Sequence, residues 1–447
     1  MNKIKISKRL LSSVRMALVA VMVLPLVSVT EIVIVDSQQA YAQKTTRVQS
    51  IRQKHIKNFE KIQAAFDAEN SSEVLRLIGK IEQDPELNNI ERAYIRNFRG
   101  SIYFTQDNLS AAAREFKGIV NNSEGVPESF VNQMYYVLAQ VSFSQGNYRE
   151  ALTNAKRYIS TLPEPSADMF MLVGQAHFQL KEYDQALTNV QKGIDRYKQQ
   201  GKQPKEGWLN LLASIYRNKS QYTKMVPVLK QLINFYPKKS YLSSLAGVYN
   251  ELNEQESMTG IFQAMYDAGM LTTESEIVTI ASLQMNLENP YKAATILEKG
   301  INSGTVPKSE KNYSLYSQAL FLAREYEEAL DPLSKAASQS SNGKKFDQLG
   351  QSYVALNRWS EAESALSKAV ARGGLQNTGQ TLMSLGLAQF EQKKYQPALS
   401  TFKKAAGHQK TRSSANNWIK YINNELARID ALNEEVVIDT DVKAEER

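Results

Sequence analysis

A frame of small residues recurs along this chain at intervals that suit a stacked series of helix pairs and no single-core domain. Leu385-Gly386-Leu387-Ala388-Gln389-Phe390 is followed by Tyr395, Ala398, Phe402 and Ala405. Leu349-Gly350-Gln351-Ser352-Tyr353 is followed by Trp359, Ala362, Leu366 and Ala369, and the two runs superpose with a shift of 36. Each reads as a helix, a short turn and a second helix. Traced backward, the small residue of the first helix falls at Gly100, Ala139, Gly174, Ala213, Ala246, Ser282, Ser317, Gly350 and Gly386. That of the second falls at Ala112, Ala151, Ala186, Met225, Met258, Ala294, Ala329, Ala362 and Ala398, with spacings of 39, 35, 39, 33, 36, 35, 33 and 36. An aromatic residue marks the turn at Tyr148, Tyr183, Tyr222, Tyr291, Tyr326, Trp359 and Tyr395. Gly or Ala lets two helices approach closely, and large residues three and four positions away fill the groove beside them.

This frame, over about residues 90–410, resembles the tetratricopeptide repeat (TPR) family. That family carries a Leu-Gly pair and an aromatic on helix A, an aromatic at the turn, and Ala-x3-aromatic-x2-Ala on helix B, with a period of about 34. The resemblance implies an all-α, TPR-type α-solenoid, a right-handed superhelix of about nine helix-turn-helix repeats plus end caps. The expected division is an atypical helix pair at 43–90, a first lobe at 91–204, irregular units and a hinge at 205–270, a second lobe at 271–410 and a capping helix at 411–433. The irregular stretch is set apart by Met225 and Met258, which replace the helix-B alanine, and by the Gly201-Lys202-Gln203-Pro204 and Tyr236-Pro237 loops. In the cap, Trp418, Ile419, Ile422, Leu426 and Ile429 share one face. The acidic residues 434–447 are expected to be disordered.

Composition agrees with helices and limits the chemistry. Only 21 Gly and 12 Pro occur in 447 residues, and there is no cysteine, which excludes disulfides, thiolate metal sites, a cysteine nucleophile and a lipidated N-terminal cysteine. Lys3, Lys5, Lys8, Arg9 and Arg15 precede an apolar stretch from Met16 to Val29, and Ala40-Tyr41-Ala42 has the small-x-small form of a cleavage site. Residues 1–42 thus read as a signal peptide directing export to the periplasm, cleaved after Ala42. The segment is long for a signal peptide, which leaves an uncleaved inner-membrane anchor as the alternative. The net charge of +8 is read as a lysine-rich solvated surface, and export argues against nucleic acid as partner.

No Gly-rich phosphate loop, His-Glu-x-x-His or Gly-x-Ser-x-Gly motif is present, so neither catalysis nor a cofactor, metal or small-molecule substrate is expected. His177 takes a helix-A site that is tyrosine in other units and is expected to be a core residue. His55 and His408 are expected on the surface. Function then falls to the concave face that helix A lines in this family. Three positions per repeat make the candidate protein-binding groove, chiefly Asn97, Tyr136, Gln140, Phe143, Gln175, Phe178, Asn210, Arg217, Gln318, Phe321, Gln351 and Phe390. Amide side chains can bond an extended peptide, and phenylalanine can dock apolar side chains. The competing reading packs the phenylalanines on helix B. The Lys and Asn that the family uses to clamp a terminal carboxylate are not supplied at these positions.

Three stretches carry a narrower resemblance: Asn289-Pro290-Tyr291-Lys292-Ala293-Ala294 with Leu297-Glu298-Lys299-Gly300, Trp359-Ser360-Glu361-Ala362 with Ala371-Arg372-Gly373-Gly374-Leu375, and Trp418-Ile419-Lys420-Tyr421-Ile422. Over 289–422 the chain is similar to periplasmic TPR proteins that accompany TonB–ExbB–ExbD systems of Gram-negative bacteria. That implies a non-enzymatic adaptor of TonB-dependent transport, with energy-transduction components or outer-membrane receptors as partners. A scaffold or assembly factor for outer-membrane proteins or polysaccharide export is the alternative.

Overall fold

The computed structural model describes residues 49–445, with side chains through Leu432. The described residues form 21 α-helices and no strands. They divide into two compact units, Met1–Pro237 and Lys238–Arg447. In the first unit the helices are α1 (Gln53–Asp67), α2 (Ser71–Ile81), α3 (Asn89–Thr105), α4 (Leu109–Asn121), α5 (Glu128–Ser144), α6 (Tyr148–Ile159), α7 (Ala167–Gln179), α8 (Tyr183–Gln199), α9 (Glu206–Asn218) and α10 (Tyr222–Phe235). The second unit begins with α11 (Lys239–Glu251), α12 (Gln255–Asp267), α13 (Glu274–Asn286), α14 (Pro290–Ser303), α15 (Glu310–Leu322) and α16 (Tyr326–Gln339). It continues with α17 (Lys344–Ala355), α18 (Trp359–Arg372), α19 (Thr378–Glu391), α20 (Tyr395–Ala406) and α21 (Arg412–Glu445). Each unit is an all-α solenoid of five antiparallel helix pairs, closed in the second by α21.

One turn builds every pair. Helix A ends in a left-handed residue, Glu69, Asp107, Gly146, Lys181, Ser220, Asn253, Glu288, Arg324, Asn357 or Lys393, with φ between 52° and 79°. The next amide then reaches back five residues to a helix carbonyl, as from Asn108 to Tyr103, Asn147 to Ser142 and Lys394 to Gln389 (2.8–3.0 Å). This closure satisfies carbonyls that the helix end would leave orphaned. Nine of the ten left-handed residues are not glycine, so their side chains strain the backbone.

The turn fixes where the two helices cross. Seven residues before it and five after it lie the crossing residues, and a Cβ added on the helix-A glycine would strike helix B. It would meet Phe116 at 2.6 Å from Gly100, Val190 at 2.6 Å from Gly174, Leu366 at 2.5 Å from Gly350 and Phe402 at 2.8 Å from Gly386. Ala112, Ala186, Ala362 and Ala398 are fully buried opposite. Where Ser317 replaces glycine, its hydroxyl donates to the Ala329 carbonyl at 2.9 Å, so a buried polar atom is satisfied within the crossing.

Two departures from the sequence frame follow from this geometry. In α13/α14 the turn lies at Glu288, which puts Ala281 and Ala293 at the crossing in place of Ser282 and Ala294. Ala281 and Ala293 are fully buried, while Ser282 is half-buried and bonds within its own helix to the Val278 carbonyl. Pro290 then holds the turn position in place of Tyr291, which is 64% exposed. In α1/α2 the turn at Glu69 places Ile62 and Val74, both 0% exposed, at the small-residue sites. The pair is a tenth repeat by its turn, with a core enlarged by Phe59, Ile78 and Ile81. At the other end α21 continues to Glu445, across residues expected to be disordered. Extending an existing helix avoids the cost of nucleation. The expected signal peptide lies outside the described residues.

Ala362→Asp places a charge at a sealed crossing and is expected to lose about 3–5 kcal/mol, measured as a fall in the denaturant midpoint. Gly146 has open space where a Cβ would stand, so Gly146→Ala tests the turn alone. It is expected to cost about 1 kcal/mol from backbone strain, with helical circular dichroism retained.

Candidate interaction groove

The twelve groove positions meet different fates in the two units. In the first unit several are sealed. Asn97 and Gln140 are 5% and 8% exposed, and the side-chain carbonyl oxygen of each has no protein hydrogen-bond partner. Tyr136 lies against Tyr158 with ring centroids 5.1 Å apart. Burial, helped by the Asp168 charge, pushes its phenol up to about 12. Phe143 and Phe178 meet the turn tyrosines of their own pairs, Tyr148 at 5.3 Å and Tyr183 at 5.8 Å. Each ring thereby staples the end of helix A to the start of helix B. Gln175 and Asn210 are half-buried and Arg217 is exposed.

In the second unit Phe321 pairs with Tyr326 (6.2 Å) in the same way. Phe390 pairs with Tyr395 and is also covered by Trp418 and Tyr421 of α21, at 5.2 and 5.6 Å. The cap therefore removes Phe390 from the groove. Gln351 bonds Asp347 at 3.3 Å and accepts from Ser384 of α19 at 2.9 Å, so it bridges neighbouring A helices.

Between α15 and α17 the wall opens into a pocket of about 290 Å³, lined by Ser314, Gln318, Phe321, Leu322, Lys345, Gln348 and Ser352. Gln318 and Phe321 were expected there. Lys345, Gln348 and Ser352 were not, because a groove between adjacent A helices has two walls and the frame followed one stripe per helix. Their signal was a second polar row at i, i+3 and i+7, set to the other side of Gly350. Leu322 is 56% exposed at the pocket edge, and the Lys345 ammonium lies 3.5 Å from the Gln348 side-chain oxygen. The pocket thus combines amide and hydroxyl groups, one cation and two apolar side chains.

The histidines carry a correction. His55 is buried, not on the surface, with Nε2 2.8 Å from Asp84. Asp84 also meets Lys54 and Arg52, and the Lys54 hydrogen bond foremost, followed by those from the Glu86 amide and His55, holds its carboxyl well below the usual range. Arg52 further pairs with Glu91 (2.8 Å), which has 0% exposure and caps α3 through Asn88. This network fastens the extended residues before α1 over the start of α3, which is why His55 is covered. His177 is half-buried and bonded to Glu182 at 2.7 Å, and His408 is exposed. Among the described residues no cluster of His, Cys, Asp and Glu is placed to hold a metal, and no helix is long and apolar enough to cross a membrane.

Residues 127–193 and 288–369 match a family model described as anaphase-promoting complex, cyclosome, subunit 3, and residues 348–415 match one described as tetratricopeptide repeat. No curated protein sequence matches the chain. Among solved structures it is similar to a tetratricopeptide repeat protein from Parabacteroides merdae, at 14% identity over 56% of this chain and 94% of that one, with a TM-score of 0.35. It is similar to MamA at 17% identity, over 39% of this chain and 89% of that one, with a TM-score of 0.34. It is also similar to YrrB, described as a TPR protein with an unusual peptide-binding site, at 12% identity over 42% and 91%, with a TM-score of 0.34. The fold is an all-α solenoid of TPR-type helix pairs, matched by these family models over residues 127–193 and 288–415.

The two classes of apolar side chain separate by mutation. Phe143→Ser and Phe178→Ser remove intra-pair staples and are each expected to cost about 2 kcal/mol, below the ~3–5 kcal/mol of a fully buried phenylalanine. Leu322→Ser removes an exposed side chain and should leave the thermal midpoint within about 1 °C, as expected for a surface change within ±0.5 kcal/mol.

Proposed function

We propose that the chain is an exported adaptor that holds an extended segment of an envelope protein in the groove between α15 and α17. The observation that carries this reading is the pocket itself. Gln318 and Gln348, facing each other across it with Ser314 and Ser352, offer donors and acceptors to a peptide main chain. Phe321 and Leu322 offer an apolar seat beside them. Export rests on the basic residues from Lys3 to Arg15, the apolar stretch after them and Ala40-Tyr41-Ala42. The stretches that resemble TonB-associated periplasmic proteins span 289–422 and so enclose the pocket. On that basis the bound segment belongs to a TonB-type component or an outer-membrane receptor.

A photoreactive amino acid at Gln348, irradiated in intact cells, should give one dominant adduct that Gln318→Lys with Leu322→Ser suppresses. Identification of TonB-type components or their receptors by mass spectrometry would support the transport adaptor. Outer-membrane assembly or polysaccharide-export proteins would make that alternative the working assignment. Equal labelling from Gln348 and from an exposed helix-B position such as Lys299 would remove the groove from consideration.

A further inference from the structure

Helix α21 is far longer than the helix it packs on. At 1.5 Å per residue its 34 residues span about 51 Å, against about 18 Å for the 12 residues of α20. Its inner face is spent on the array: Ala415 and Ile422 are 0% exposed, and Trp418, Ile419 and Leu426 pack with Leu399 and Phe402. A neighbouring face is only partly used, one side of the Tyr421 ring meeting Phe390 and Trp418. Tyr421 is 55% exposed and Leu432 46%, and being eleven residues apart they fall within about 20° of each other around the helix. Between them on that face lie Glu425 and Arg428, paired at 2.6 Å, with the Arg428 side chain 60% exposed and the Glu425 side chain 21%.

The order Tyr421, Glu425, Arg428, Leu432 is self-complementary under a two-fold rotation. An antiparallel second helix centred at the Leu426–Ala427 bond puts Tyr421 against Leu432 of the other copy, and Glu425 against its Arg428. Charge along the whole helix selects the same direction. The first half carries Arg412, Lys420 and Arg428 against Glu425, a net of +2, and the second Asp430, Glu434, Glu435, Asp439, Asp441 and Glu445 against Lys443, a net of −5. Antiparallel pairing lays each acidic half along a basic half, whereas parallel pairing superposes like charges. We infer that the occupant of this face is a second copy of this chain, joined antiparallel through α21 in an isologous contact.

The chain has no cysteine, so cross-linking has no background. Tyr421→Cys and Leu432→Cys, made separately and mixed under mild oxidation, should give a covalent mixed dimer in large excess over either variant alone. The two sites within one chain are about 16 Å apart along the helix, too far for an internal disulfide. Sedimentation should find a concentration-dependent dimer for the unaltered protein. Glu425→Arg and Arg428→Glu should each sediment as monomer with unchanged helical circular dichroism, and a mixture of the two should recover the dimer. A monomeric unaltered protein would overturn the inference. So would self-cross-linking of Leu432→Cys as strong as the mixed reaction, or dimers that survive both charge reversals.

Discussion

The crossing of helix A over helix B depends on a left-handed turn of fixed length meeting a pair of residues with little or no side chain. The turn sets the crossing seven residues behind it and five ahead. The small pair then lets the backbones close until Phe116, Val190, Leu366 or Phe402 lies where a Cβ would otherwise stand. Once that distance is set, the large residues on either side have one place to go, the seam with the next pair. The repeated core clusters, such as Ala362, Leu366, Leu385 and Ala388, are that seam. Because each pair is specified locally, the array grows by addition and contacts run between neighbours in sequence.

The same dependence explains which parts of the fold are legible in the sequence. Gly350/Ala362 and Gly386/Ala398 stand alone among larger neighbours, so the frame can settle only there. In α13/α14 the runs Ala281-Ser282 and Ala293-Ala294 offer two small residues side by side, and the turn at Glu288 decides between them. Composition at the turn gives no help, since nearly any residue is tolerated in the left-handed site when both flanking hydrogen bonds form. The pair α1/α2 is hidden for the opposite reason. Ile62 and Val74 fill the crossing with bulk, so a search for small residues passes over a turn of the same geometry. His55 is misplaced by its sequence context because its cover, Asp84 held by Lys54 and Arg52, comes from a loop with no periodicity to read.

The groove is less legible than the fold. A helix-A stripe identifies residues that point along the stacking direction, yet whether they are available depends on what the next pair and the turn bring to them. Tyr148, Tyr183, Tyr326 and Tyr395 draw Phe143, Phe178, Phe321 and Phe390 toward helix B. The phenylalanines are therefore part of the joint inside each pair before they are part of any surface. Phe321 and Phe390 then part ways according to their neighbours. No capping helix lies over Phe321, and the facing wall supplies Gln348 and Ser352, so part of its ring still borders open space. That second wall is invisible to a periodicity taken one helix at a time, since it belongs to the next repeat.

Packing and pocket lining thus fall largely to different residues of the same helix. In α15 the buried Ser317, Ala319 and Leu320 serve the crossing and the seam, while Gln318, Phe321 and Leu322 border the pocket. Substitution at Gln318 or Leu322 leaves the first set untouched, whereas Phe321 belongs to both, since its ring also meets Tyr326 and the core. The cap has the same division. Ile422 and Leu426 close the last seam, while Leu432 and the outer side of the Tyr421 ring stand beyond it. A terminal helix required only to shield the array from water would need about the length of α20. The additional turns of α21 are not required by the stacking, and along the whole helix the sequence runs from basic to acidic.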